Sequence, residues 1–220
     1  MSLFCYIEPW LIRFLLGACV FNFFYAVVYH SMCCRCFEKI GVQALLASIF
    51  GGLTACLSAF CFGDSAQAIL AFAFCGVLLC TALIDIETLE IPDRIHVIIL
   101  VLAVLSTVHS TEAAITNRLL GAVIVSVPML LIALLVSGGF GGGDIKLMAA
   151  SGLLLGTKEI VVAAFVSILT GSIYSAYLLI TQQAQRETQF AFGPFLCTGL
   201  AFAVFWGHTF ADWYLSLPTF

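Results

Sequence analysis

The chain has 220 residues, of which 63% are hydrophobic and 9% charged, whereas soluble globular domains carry about a quarter charged residues. Its net charge of -4, from 8 basic and 12 acidic residues, offers no basic surface to nucleic acid. A soluble domain and a nucleic-acid binder are excluded, and the lipid bilayer is left as the dominant partner.

A membrane-spanning helix needs about 20 mostly apolar residues, each advancing the chain by about 1.5 Å. Apolar runs fall at about 10–29, 43–61, 66–85, 95–109, 118–137, 145–156, 159–181 and 192–215. These eight runs predict an all-α, polytopic transmembrane helix bundle with no soluble domain left over. The 4th and 6th runs are short for a full span, which suits a tilted or re-entrant helix, or one continued into its neighbouring loop. The first run lacks the basic start of a cleavable signal, carries Glu8 and is interrupted by Arg13. It reads as a retained first helix.

With the N-terminus outside, the inner loops hold Arg35, Lys39, Arg94, Lys146 and Arg186, and Arg13, Arg118 and Lys158 lie near the outer face. The excess of inner positive charge favours that orientation. Of the ten cysteines, Cys19, Cys56, Cys61, Cys75, Cys80 and Cys197 lie in or beside apolar runs, where cysteine serves as a small core or lipid-facing side chain.

The third run ends in ALIDIETLEIPDRIH, residues 82–96, where Asp85, Glu87, Glu90 and Asp93 supply four of the twelve acids. Pro92 disfavours helical geometry at Ile91, so a helix carrying Asp85 is expected to end before it. A new helix is expected near Asp93, a residue suited to an N-cap. The sixth run opens with GFGGGDIKL, residues 139–147. Glycines at 141, 142 and 143 are expected to admit positive φ and a close approach to another chain, with Asp144 where the next helix begins. Two spans separate Asp85 from Asp144, so both acids lie on one membrane face.

Two carboxylates held close together cannot both ionise cheaply, so such a pair shares one proton and acts as base and acid around a water. That chemistry hydrolyses peptide bonds. Acids at helix ends are commonly solvated and glycine-rich stretches are commonly loops, so neither stretch alone points to catalysis. Their joint occurrence in a chain so poor in charge does.

The two stretches resemble the signature pair of the type IV prepilin peptidases, bacterial GxGD membrane aspartyl proteases. One motif is an aspartate, five residues, an aliphatic residue, proline and an acid or Asn; it is met by Asp85, Ile91, Pro92 and Asp93. The other, GxGD followed by x-K-L, is met by Gly141, Gly143, Asp144, Lys146 and Leu147. AFGPFL, residues 191–196, is similar to the family's FGP segment. The resemblance implies Asp85 and Asp144 as the catalytic pair. It also implies a six-helix peptidase core over 66–215, preceded by N-terminal membrane segments and a short cysteine-containing cytoplasmic loop over 1–65.

What the resemblance further implies is cleavage of a prepilin or pseudopilin after a glycine, on the cytoplasmic side of the bacterial inner membrane. No cofactor is implied, and homo-oligomers are compatible with it. Glu87, Glu90 and Asp93 are candidates to meet a basic leader. For Lys146 the readings are tuning of the acid pair, contact with an acid of the substrate, or anchorage to lipid phosphate.

The N-terminal part departs from the longer family members, whose two CxxC pairs are linked to zinc and to N-methylation. Here one pair remains, Cys33 and Cys36, with His30 and Cys34 beside it. A closed zinc site needs four ligands, so a structural cysteine cluster is preferred to a metal site and N-methylation is left open. Two other functions compete: a proton-coupled transporter with paired acids, and a presenilin-like intramembrane protease. Against the latter, Ile84 rather than tyrosine precedes Asp85, and GPF occupies the late position.

Overall fold

The computed structural model describes residues 2–32, 40–107, 112–136, 140–181 and 191–217, with side chains except at 2–8, 24, 27–32, 40–43 and 112–114. Among these residues there is no strand. In chain order the helices are α1 (Ser2–Met32), α2 (Ile40–Phe62), α3 (Ala66–Thr88), α4 (Asp93–Thr107), α5 (Glu112–Ile124), α6 (Ser126–Leu135), α7 (Gly142–Leu155), α8 (Thr157–Ile180) and α9 (Gly193–Ser216). Within the described residues each of the eight apolar runs is therefore helical, and one of them is split. Pro128 has no N–H for the Ile124 carbonyl and its ring crowds that turn, so the run breaks at Val125 into α5 and α6.

Among the described residues five helical stretches are long and apolar enough to cross a membrane: Ala44–Phe62, Ala66–Thr88, Ile115–Leu135, Thr157–Ile180 and Gly193–Ser216. Large apolar side chains such as Leu119, Leu120, Leu131, Ile168 and Ile173 point outward, as a lipid-facing surface requires. The chain forms two compact units, Met1–Cys80 and Thr81–Phe220.

In the first unit α1 packs on α2. A Cβ at Gly17 would strike the Gly51 carbonyl, and one at Gly51 would strike Phe21. Small residues are what let these two helices approach, as the GGLTACLSAF stretch leads one to expect. Arg13 forks onto both carboxylate oxygens of Asp64, at 2.8 and 2.9 Å.

In the second unit α7 packs against α4, α5, α6, α8 and α9. The helices α4 and α7 have 15 and 14 residues, about 21 to 23 Å at 1.5 Å each, short of the roughly 30 Å hydrocarbon core. Asp144, Leu147, Met148, Ala150, Ser151 and Gly152 of α7 are all buried, so protein rather than lipid surrounds this short helix. The cysteines within apolar runs behave as expected: Cys75, Cys80 and Cys197 are buried and Cys19 and Cys61 exposed. The Cys33 and Cys36 pair lies outside the described residues.

Candidate active site

Asp85 sits in the last turn of α3. Leu89, at φ 55°, takes the left-handed conformation that ends the helix, and its N–H donates to the Asp85 carbonyl at 2.9 Å. The Thr88 hydroxyl donates back to the Ile84 carbonyl at 2.8 Å. Pro92 follows, and α4 starts at Asp93, as Pro92 predicts. The turn leaves Glu87 and Glu90 exposed while Asp85 faces inward at 5% exposure.

The Asp85 carboxylate is held by a residue far along the chain. Its Oδ2 accepts the backbone N–H of Gly193 at 2.8 Å, at the N-terminus of α9, where amides without an intrahelical partner favour an anion. Position 193 has to be glycine, because a Cβ there would lie 2.5 Å from that same oxygen and 2.8 Å from its carbon. Pro194 next to it fixes the helix start. Phe192 packs its ring 5.6 Å from that of Phe140 at a tilt of 59°, joining the start of α9 to the approach to α7.

Asp144 lies in the first turn of α7 and is 9% exposed. Its carboxyl folds back over Gly141, with Oδ2 3.3 Å from where a Cβ of that glycine would sit, and it is near enough to Asp85 for the charge there to act on it. The two acids predicted to pair are thus buried together. The glycines achieve this differently from the expectation. The only glycines with positive φ among the described residues are Gly63 and Gly156. Gly141 is extended at φ -70° and ψ 146°, and Gly142 and Gly143 already belong to α7. Close packing is found within the chain itself at Gly143, where a Cβ would come within 3.0 Å of Ile91 Cβ. There the second motif abuts the first.

Lys146 also finds its partner in the first motif. Its Nζ donates to Asp93 Oδ1 at 2.6 Å, a contact outside the three readings considered for it. The pairing holds the Asp93 carboxyl below its ordinary range. Sequence reasoning passed over two residues. Gly193 is visible in the sequence only as part of the FGP resemblance, and His96 carries no signal there. His96 is buried, with its Nε2 3.0 Å from the Gly143 carbonyl.

Fold and site together define a polytopic helical membrane protein with a shielded pair of aspartates, the Asp85 carboxylate held by the Gly193 amide. Residues 72–176 match the model of the type IV leader peptidase family. The chain is 31% identical over 188 residues to the prepilin leader peptidase/N-methyltransferase of Bacillus subtilis, covering 84% of this chain and 75% of that protein. Proteins of the same name from Burkholderia pseudomallei and Legionella pneumophila are 28% and 23% identical. The matches cover 84% and 86% of this chain and 61% and 68% of those proteins. No solved structure matches the chain. The chain belongs to the type IV leader peptidase family.

Proposed function

We propose that the chain is a membrane aspartyl endopeptidase that removes the leader of a type IV prepilin or pseudopilin, with Asp85 and Asp144 as the catalytic pair and residues 66–215 as the peptidase core. The observation that carries this reading is the burial of both aspartates within electrostatic reach of each other, from motifs two spans apart in sequence. One carboxylate takes a proton from water as the oxygen attacks the peptide carbonyl. The partner acid protonates the tetrahedral intermediate, then the departing amine. Water adds across the C–N bond, leaving a carboxylate on the leader and a free amine on the mature chain.

The cut is assigned to the bond after the leader's terminal glycine, at the cytoplasmic face of the bacterial inner membrane. Support comes from the excess of basic residues in the loops of that face and from the place of both aspartates at helix ends. A substrate helix lying in the bilayer brings its own polar boundary to that depth. Glu87 and Glu90 are exposed acids beside Asp85, placed to meet a basic leader. Glu87→Gln with Glu90→Gln should raise KM for a basic leader and flatten its salt dependence; unchanged KM removes this assignment.

Membership in a peptidase family weighs against the transporter reading. The test is direct: the purified chain in detergent, with no ion gradient, is given a prepilin peptide of basic leader, glycine and hydrophobic segment. Cleavage after the glycine is expected. Mass spectrometry of the new N-terminus also reads whether a methyl group has been added, the second activity named for the relatives. No cleavage in detergent or in lipid vesicles refutes the proposal.

A further inference from the structure

We propose that His96 is a positioning residue of this site: by holding the Gly143 carbonyl it fixes the peptide plane from which Asp144 projects. The inference rests on the reading of Asp144 as catalytic.

His96 lies in the first turns of α4, three residues after Asp93, and is 6% exposed. Its Nε2 is 3.0 Å from the Gly143 oxygen. A carbonyl can only accept, so the ring carries its proton on Nε2 and donates. The other nitrogen, Nδ1, is buried without a hydrogen-bond partner. The nearest charged group to it, Asp93 Oδ1, stands 3.8 Å away, too far for a hydrogen bond. A buried ring nitrogen left unpaired is unfavourable. The ring's pose is therefore set by what Nε2 does, and what it does is grip the residue before Asp144.

That grip adds a tertiary tie to the hydrogen-bond ladder of α7, to which Gly143 already belongs. The Gly143 carbonyl belongs to the same peptide unit as the Asp144 N–H, so its orientation fixes the backbone from which the Asp144 Cβ departs. Gly143 has no side chain to anchor it. It is held by contact with Ile91 on one side and by the His96 bond on another. Three residues later, Lys146 is tied to Asp93. Asp144 is thus bracketed by two ties to one short segment, and only the one through His96 is shielded from water. A histidine that merely filled a core position would need size and shape there and no donor. The two roles separate experimentally.

The test compares His96→Leu, which keeps bulk and loses the donor, with His96→Gln, which keeps an N–H donor of similar reach, and with Asp144→Asn. Each full-length protein is purified in detergent and given the peptide of basic leader, glycine and hydrophobic segment. His96→Leu should lower kcat about ten- to a hundredfold, the scale of a misplaced catalytic group, with KM within about twofold. His96→Gln should recover most of the loss, while both variants melt at similar temperatures. If His96→Leu cuts at the wild-type rate, or if Leu and Gln lose equally, the proposal is overturned.

Asp144→Asn separates this failure from that of the site. If it still cuts, the catalytic assignment itself is wrong and the role of His96 falls with it. If it is dead while His96→Leu is unaffected, only the role of His96 is refuted. Should His96→Leu fail to accumulate, His96→Asn takes its place and amide exchange over residues 141–147 is read. Faster exchange and lower kcat in Asn than in Gln support the tie, and equal values overturn it.

Discussion

Lys146 Nζ lies 2.6 Å from Asp93 Oδ1, an ion pair across 53 positions of sequence that ties the first acidic motif to the second. Both side chains are largely exposed, at 57% and 78%, and exposed pairs contribute little to stability. The pair's effect is on register, because it fixes a residue two positions from Asp144. Lys146→Met or Asp93→Asn should therefore lower kcat several-fold while leaving the melting temperature nearly unchanged. Lys146 holds the Asp93 carboxyl below its ordinary value of 3.8. A depressed carboxyl contributes above its unfolded pKa and loses its contribution as pH falls through the folded one. The wild-type advantage over either variant should hence be flat from about pH 5 to 8 and shrink only below about pH 4. A ratio that changes between pH 5 and 8 would contradict the assignment.

Asp85→Asn and Asp144→Asn each keep shape and remove one of the two groups that share the proton. Each should insert into membranes normally and cut at least about a thousandfold more slowly, with the double variant no worse than either single one, since residues acting as a unit are not additive. Full cleavage by either variant ends its catalytic role.

Gly193 leaves no room for a methyl group, with Asp85 Oδ2 2.5 Å from where a Cβ would sit. Gly193→Ala should push the Asp85 carboxylate off the helix amide and cost roughly tenfold to a hundredfold in kcat. At Gly142 a Cβ would meet nothing within 4 Å, so Gly142→Ala is the control for a methyl added near the site. Equal activities for the two alanine variants would mean that the Gly193 contact does not matter.

Much of this site could be read from residue order alone. Apolar run lengths located the helical segments, except for the break at Val125 that divides one run into α5 and α6, because lipid leaves the backbone no alternative to internal hydrogen bonding. Asp85 and Asp144 stood out because carboxylates are so scarce in this chain. The partners that orient them were not legible. Gly193 acts through a backbone amide, which carries no residue signature, and it lies 108 positions from Asp85. His96 and Lys146 contact the opposite motif, and nothing in either motif's own spacing announces a partner from elsewhere. The positive φ expected for the GGG stretch failed for a local reason: α7 begins at Gly142, so those glycines continue as helix.

The glycines of the GGGD stretch also differ from one another, and that difference is testable. At Gly142 a Cβ would meet nothing within 4 Å, while at Gly143 it would lie 3.0 Å from Ile91 Cβ. Alanine is the better helix former by up to about 1 kcal/mol, so Gly142→Ala should fold at least as well and cleave within about twofold of the wild type. Gly143→Ala must displace Ile91, whose mobility is limited by Pro92, and should lose about tenfold or more in kcat as Asp144 shifts with it. Trimming Ile91 to alanine should fail to rescue it, because the atom in the way is the Cβ that alanine retains. Rescue by Ile91→Ala, or equal losses at 142 and 143, would show that the close contact between the two motifs is not what requires glycine there.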